Sequence, residues 1–336
     1  MKRLGVAVVV LVGLALVVLP RCATAAEDGI DLGFHLKEGE SYGLLVTMDQ
    51  TMVQTINGNE QRMAQKMSFG YTYHVKEVDD AGVATIETSF DSLSFQQDGP
   101  MGRIEYNSED PPDELNPMLK VFAFLVDKKF SMKMAPDGTV TDIEGLDKLF
   151  DDMIKALELP DGPMKDSIIK SVKGQFGEKA MKEAMGKMTA IYPGKLVEVG
   201  DTWSLKLNME MGMAMSIDST YTLKSIENGI VTVTAVAEIQ PNPEAPAMEM
   251  GPVKMRYALS GPMEGTFEML EATGWFQRGI VTQKLSGTII MSGLPGQAGD
   301  QSWPISMETV MTMEPKEPAA LDESIEALED VGATEE

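Results

Sequence analysis

The sequence predicts an α+β chain that is mostly antiparallel β, made of two related β-meander lobes with long curled hairpins and a helical block between them. Three observations carry this. The segment Gly39-Glu40-Ser41-Tyr42-Gly43-Leu44-Leu45-Val46-Thr47-Met48 recurs as Gly200-Asp201-Thr202-Trp203-Ser204-Leu205-Lys206-Leu207-Asn208-Met209. The echo continues in Tyr71-Thr72-Tyr73 against Tyr221-Thr222-Leu223, and in Gly82-Val83-Ala84-Thr85-Ile86 against Gly229-Ile230-Val231-Thr232-Val233. Both copies alternate apolar and polar residues with period two, which specifies strands, whereas Leu146, Leu149, Phe150, Met153, Ile154 and Leu157 fall at helical spacing between them.

Residues 1–26 read as a signal peptide: Lys2 and Arg3 precede an apolar run from Leu4 to Leu19, then Ala23-Thr24-Ala25-Ala26. The run is short for a membrane span, so the exported chain is not expected to cross one. A lipid anchor on Cys22 is the rival reading, but Arg21 stands where a small residue is needed. Cleavage removes the chain's single cysteine, leaving neither disulfide nor thiolate metal site. It also removes three basic residues, leaving 25 of 28 against 52 acids. So acidic a surface repels phosphate backbones, and nucleic acid is not an expected partner. The periplasm is the expected compartment, ahead of an extracellular location or a lipid anchor at Cys22.

Residues 27–144 form the first expected lobe. From Tyr42, the even positions Leu44, Val46, Met48, Gln50, Met52, Gln54 and Ile56 share one face, and Asn57-Gly58 supplies a two-residue type I′ turn. Folding there sets Ile56 opposite Asn59, Gln54 opposite Gln61, Met52 opposite Met63, Gln50 opposite Gln65, Met48 opposite Met67, Val46 opposite Phe69, Leu44 opposite Tyr71 and Tyr42 opposite Tyr73. Like faces like on nearly every rung, which supports the register independently of the turn. Each strand is then about 50 Å long and has to curl. A third strand from Val83 to Phe95, a short helix from Leu115 to Val126, and a hairpin through Pro136-Asp137-Gly138-Thr139 complete the lobe.

The helical block spans 145–194, with further helices at about 163–175 and 178–191. The second lobe spans 195–314. Pairing Leu205 with Tyr221 makes Gly212-Met213-Ala214 a three-residue loop, and later strands run about Val253–Leu270, Trp275–Met291 and Gln301–Met313, after a Pro-rich loop from Pro241 to Pro252. Residues 315–336 are acidic and apolar-poor, the composition of a disordered tail.

The inventory for chemistry is small. His35 and His74 are the only imidazoles, and His74 falls on the polar face of its strand. No nucleophile elbow, His-Glu-x-x-His or phosphate loop occurs. The acids of Glu109 to Glu114 lack the spacing of a calcium loop and read as a solvated helix entry. No catalytic residue, cofactor or metal site is assigned, and the chain is expected not to be an enzyme. Methionine is the unusual residue, 27 of 336. Thioethers fill cores, line adaptable apolar surfaces, or in an oxidising compartment hold Cu(I). The expected apolar groove or tip comprises Tyr42, Met48, Met67, Trp203, Met209, Met211, Met213 and Met215. Its partners would be a lipid or other apolar small molecule, or an envelope protein docking on an exposed tip.

The runs Ser108-Glu109-Asp110-Pro111-Pro112, Phe176-Gly177-Glu178-Lys179-Ala180, Tyr192-Pro193-Gly194 through Trp203, and Gly261 through Gly265 to Thr273-Gly274-Trp275 resemble a family of exported bacterial proteins catalogued as a domain of unknown function. The likeness covers nearly the whole mature chain. It implies an envelope location and a β-rich fold, and carries over no catalytic or binding residue. Members often bear a lipoprotein cysteine, from which Arg21-Cys22 departs.

Overall fold

The computed structural model describes residues 29–56, 58–100, 102–112, 114–115, 117–156, 162, 178, 182, 191–209, 214–242, 247–250, 253–294 and 299–319. The first half contains β1 (Ile30–Asp31), β2 (Ser41–Ile56), β3 (Asn59–Val78), β4 (Ala84–Gly99), β5 (Gly102–Asn107), α1 (Pro117–Leu125), β6 (Lys129–Met134), β7 (Val140–Glu144) and α2 (Leu146–Ala156). The second contains β8 (Leu196–Val197), β9 (Thr202–Met209), β10 (Met215–Glu227), β11 (Ile230–Pro241), β12 (Met248–Met250), β13 (Val253–Leu270), β14 (Phe276–Ser292) and β15 (Gln301–Lys316). The signal segment, the expected helices at 163–175 and 178–191 other than Glu178 and Lys182, and the tail beyond 319 lie outside the described residues.

The chain is mostly antiparallel β, as its alternation requires. Its two meanders are not separate lobes, however. One 13-stranded sheet runs β7-β6-β4-β3-β2-β15-β14-β13-β11-β10-β9, with β5 added to β4 and β12 to β13. The last strand closes onto the first long one, Met311 opposite Met48 and Met307 opposite Met52. Such a pairing is invisible to local pattern because it joins the ends of the chain.

The first hairpin has the register that its turn and its like-with-like rungs specify, from Ile56 opposite Asn59 to Tyr42 opposite Tyr73. The second does not: Tyr221 faces Trp203, Leu205 faces Ser219, and Met209 faces Met215. The expected Leu205–Tyr221 pairing is therefore off by two residues. The true counterpart of Tyr221 is Tyr73, and the backbone shows why. Gly39 N–H donates to Val75 O and Val75 N–H to Glu40 O; likewise Gly200 N–H donates to Leu223 O and Leu223 N–H to Asp201 O. Both glycines hold positive φ, 80° and 99°, a conformation costly for any other residue. One β-bulge follows in each copy, between Val75 and Glu77 and between Leu223 and Ser225.

Two further boundaries differ from expectation. β4 runs on to Gly99 and pairs with the unanticipated β5. Residues 315–319 are not part of a disordered tail: Pro315 and Lys316 pair with Leu44 and Gly43, and Ala319 N–H donates to Thr72 Oγ1 at 2.8 Å.

The sheet is curled shut at one end. Adjacent residues of the N-terminal strap, Phe34 and His35, donate their amides to Pro136 O in the β6–β7 turn (2.7 Å) and to Thr273 O in the β13–β14 turn (3.0 Å). Those turns are separated by β4, β3, β2 and β15, about 24 Å across a flat sheet, yet neighbouring amides reach both. Gly261 and Gly287, on adjoining strands, take φ of 154° and 157°, and a Cβ there would run into the carbonyl oxygens of Lys284 and Ala258. Beside them the β13–β14 ladder is interrupted, between the Ser260–Ser286 and Met263–Gln283 pairs. At the closed end Leu44, Val75, Ile86, Met132, Leu223, Val233 and Met269 from both halves share one core with Phe34, Tyr192 and Trp275.

A candidate ligand-binding trough

Directly opposed residues share a face, so the ladder identifies every inward position. Its transverse rows, read from β3 to β14, are Met67-Met48-Met311-Val281, then Gln65-Gln50-Thr309-Gln283, then Met63-Met52-Met307-Leu285. The polar row continues to Gln97 on β4. Among the described residues of β2, β3, β4, β9, β10, β11, β13, β14 and β15, no inward position is Asp, Glu, Lys or Arg, in a chain 24% charged. The outward face carries Lys66, Asp218, Glu264, Lys284 and Glu308 together with many serines and threonines.

Met48, Gln50, Met52, Met63, Gln65 and Met67 on the floor are half-buried. Two packed clusters flank them, Met67 packing against the first and Met52 against the second. On the first half α1 covers the inner face, Leu119 and Phe122 lying on Phe95, Leu93, Phe69 and Met67. On the second, Met215, Ile239, Leu259, Leu285, Ile305 and Met307 fill the curve of the sheet themselves. Between them Gln50 donates its amide to Thr309 Oγ1 at 3.1 Å and to Met307 sulfur at 3.0 Å.

The closed end is aromatic. Trp275 lies 4.8 Å from the Tyr42 ring and 5.1 Å from Tyr73, and Phe34 meets Tyr192 edge-on at 4.9 Å. Tyr192 donates to Gly274 O at 2.6 Å. Burial pushes the Tyr71 hydroxyl up to about 12, and burial followed by the hydrogen bond to Glu40 does the same for Tyr42. The Trp275 indole N–H and the Thr88 hydroxyl are buried without a hydrogen-bond partner among the described residues, and Thr88 faces Tyr73 across the ladder.

The expected site residues distribute unevenly over this trough. Tyr42 belongs to its closed end, and Met48 and Met67 form one rung of its floor. Trp203 stacks on Tyr221 at 5.6 Å and 11°, with its indole N–H donating to Ile191 O at 2.8 Å. Met215 is 6% exposed inside the second cluster, so it contributes nothing to an exposed tip. Met209 stands opposite it in the ladder, and Met211 and Met213 lie outside the described residues. Trp275, Met307, Met311 and the extension of the Gln50–Gln65 rung to Thr309, Gln283 and Gln97 escaped sequence reasoning. The alternation Ile305, Met307, Thr309, Met311 and Met313 was visible, but not which strand it would join.

His74 is on the polar face, as expected, yet it is buried there with Ser41 Oγ 2.9 Å from its Nδ1. Glu87 stands opposite on β4, but its carboxylate is engaged by Lys129 at 3.0 Å.

The model described as "Family of unknown function (DUF6263)" matches residues 81–276, more than half of the chain. The protein belongs to that family. The match spans β4 to the start of β14, including both turns that hold the strap. Nothing among curated proteins matches. A lipovitellin structure titled for its lipid–protein interactions aligns with 85% of this chain and 26% of its own, at 9% identity and TM-score 0.45. This chain thus spans about a quarter of that one. An outer membrane channel from Pseudomonas putida F1 aligns over 85% and 98% at 7% identity and TM-score 0.25. A putative outer membrane lipoprotein-sorting protein domain from Vibrio parahaemolyticus aligns over 85% and 90% at 8% identity and TM-score 0.14. Likeness this low supports no argument about fold detail or ligand.

Proposed function

We propose that this protein is an exported, noncatalytic binding module that holds an apolar molecule, of lipid character, in the trough of its curled sheet. The observation that carries the reading is the uncharged inner face, on which Met48, Met52, Met63 and Met67 remain half-buried although both flanking clusters are packed. Half-exposed thioethers on a shaped concave floor form an adaptable apolar surface, and a ligand would gain about 25 cal/mol for each Å² of apolar area withdrawn from water. The orientation of the sheet argues against a lipid-facing barrel. Such barrels are apolar outside and polar inside, whereas here the charges point outward and the methionines inward. No helix among the described residues is long and apolar enough to cross a membrane.

The test is native mass spectrometry of the protein purified from its own host, before and after extraction with organic solvent. A bound mass that extraction removes and added lipid restores is the expected outcome. Apo mass alone, with added lipid failing to bind, overturns the reading.

A further inference from the structure

Building on that trough, we infer that its ligand is an uncharged lipid with a hydrogen-bonding oxygen part-way along its apolar length, of the acyl-ester class. The inner face excludes both simpler alternatives. A free carboxylate or phosphate laid on it would be desolvated with no Lys or Arg at any described inward position to pair with, a cost that dominates binding. A plain hydrocarbon would cover the Gln97-Gln65-Gln50-Thr309-Gln283 row and strip water from its amides without replacing it. An ester satisfies both demands.

The placement of the row adds the second half of the argument. Four strand spacings make it about 19 Å long, and it runs between two methionine rungs, each about 7 Å away along the strands. A polar group bound there therefore has a methionine rung on either side. The floor stays apolar through Val46 and Phe69 towards the aromatic closed end, and through Ile305, Ile289 and Trp303 on β14 and β15 towards the hairpin tips, where β2 and β3 carry a second glutamine pair, Gln54 and Gln61. That arrangement suits a linkage joining two chains better than a headgroup at the end of one. Gln50 spends its amide N–H groups on Thr309 and Met307, which leaves its carbonyl as an acceptor, while the half-buried Gln65 and Gln283 can donate to an ester carbonyl.

The experiment measures three ligands on delipidated full-length mature protein by displacement of a fluorescent apolar probe: dodecyl dodecanoate, dodecanoate, and a straight-chain alkane of the ester's length. The ester is expected to bind at least about tenfold tighter than either of the others. Gln50→Met combined with Gln65→Met and Gln283→Met should remove that preference while leaving alkane affinity unchanged or raised. Unaltered near-ultraviolet circular dichroism shows that the variant is folded, and Gln65→Met alone is the substitute if it is not. Dodecanoate binding as tightly as the ester, or a preference that survives the substitutions, overturns the inference. Alkane binding without ester preference refutes the inference alone; failure of all three ligands refutes the trough as well.

Discussion

The two halves open with the same device and spend it differently. Gly39-Glu40 and Gly200-Asp201 make the same pair of backbone bonds to Val75 and Leu223, and the same bulge follows. Beyond that point the first half extends β2 and β3 to 16 and 20 residues and covers their inner face with α1. In the second half β9 is described over 8 residues, the long strands are β13, β14 and β15, and the curve of the sheet is filled by its own side chains. A repeated opening thus fixes how each meander starts, not what shields it. The floor left half-exposed between a helix-covered region and a self-packed one is the trough.

The comparison can be broken most forcefully at the close glycine approaches between β13 and β14. Gly261→Val or Gly287→Val forces a side chain into a backbone carbonyl and should cost more than about 3 kcal/mol in urea unfolding, or abolish soluble protein. A cost under about 1 kcal/mol would mean that the curl does not depend on these sites. Next come the paired core positions, both 0% exposed. Leu223→Ala should destabilise by about 2–5 kcal/mol and Val75→Ala by about 2, following the smaller volume removed.

The repeated turns sharpen the likeness. Gly39→Ala and Gly200→Ala meet no atom within 4 Å and suffer only their positive φ, so each should cost about 1–2 kcal/mol, and nearly equally. Unequal costs would show that the two turns are not one device.

Alkali tests the first half. Tyr42 and Tyr71, raised to about 12 from 10.0, are harder to ionise folded than unfolded. Their contribution is fully present below pH 10 and is lost as pH rises from 10 through 12. Tyrosinate absorbance should therefore rise together with loss of circular dichroism in that window, and Tyr71→Phe should make the loss shallower. Ionisation well before any loss of structure would contradict this.

The smallest effect is expected at the join between halves. Lys316 reaches Asp91 at 3.0 Å, and Asp91 also accepts from Thr72 and Ser89. Because Lys316 keeps 26% of its side chain exposed, Lys316→Met should cost only about 1 kcal/mol. It should also speed amide exchange at positions 314 and 316 relative to the rest of β15.

The first hairpin was legible residue by residue because everything that sets it is local: a turn dipeptide, a period of two, and a partner strand that begins two residues later. The β9–β10 hairpin lacks such a dipeptide, so the echo had to stand in for it, and Tyr71 was matched where Tyr73 belongs. The segment 315–319 misled in the opposite sense, since its composition is that of a tail while its backbone completes the ladder against β2. The trough was half-legible. Met48 facing Met67 and Gln50 facing Gln65 follow from the hairpin, but the row reaches Thr309 and Gln283 only because β15 lies beside β2.

By itself the sequence determined the long strands, the first register, the α2 helix with Leu146, Leu149, Met153 and Ile154 buried, and the duplicated opening. These depend on spacing along the chain and on backbone conformations that Gly and Asn alone adopt readily. Only the tertiary structure decided that two meanders become one sheet, that the strap draws two distant turns together, and that a row of uncharged polar groups crosses the floor. Those features depend on contacts between residues more than 100 positions apart, such as Phe34 with Pro136 and Gln50 with Thr309. Their energy comes from burial shared across the whole sheet, and no local window of sequence contains it.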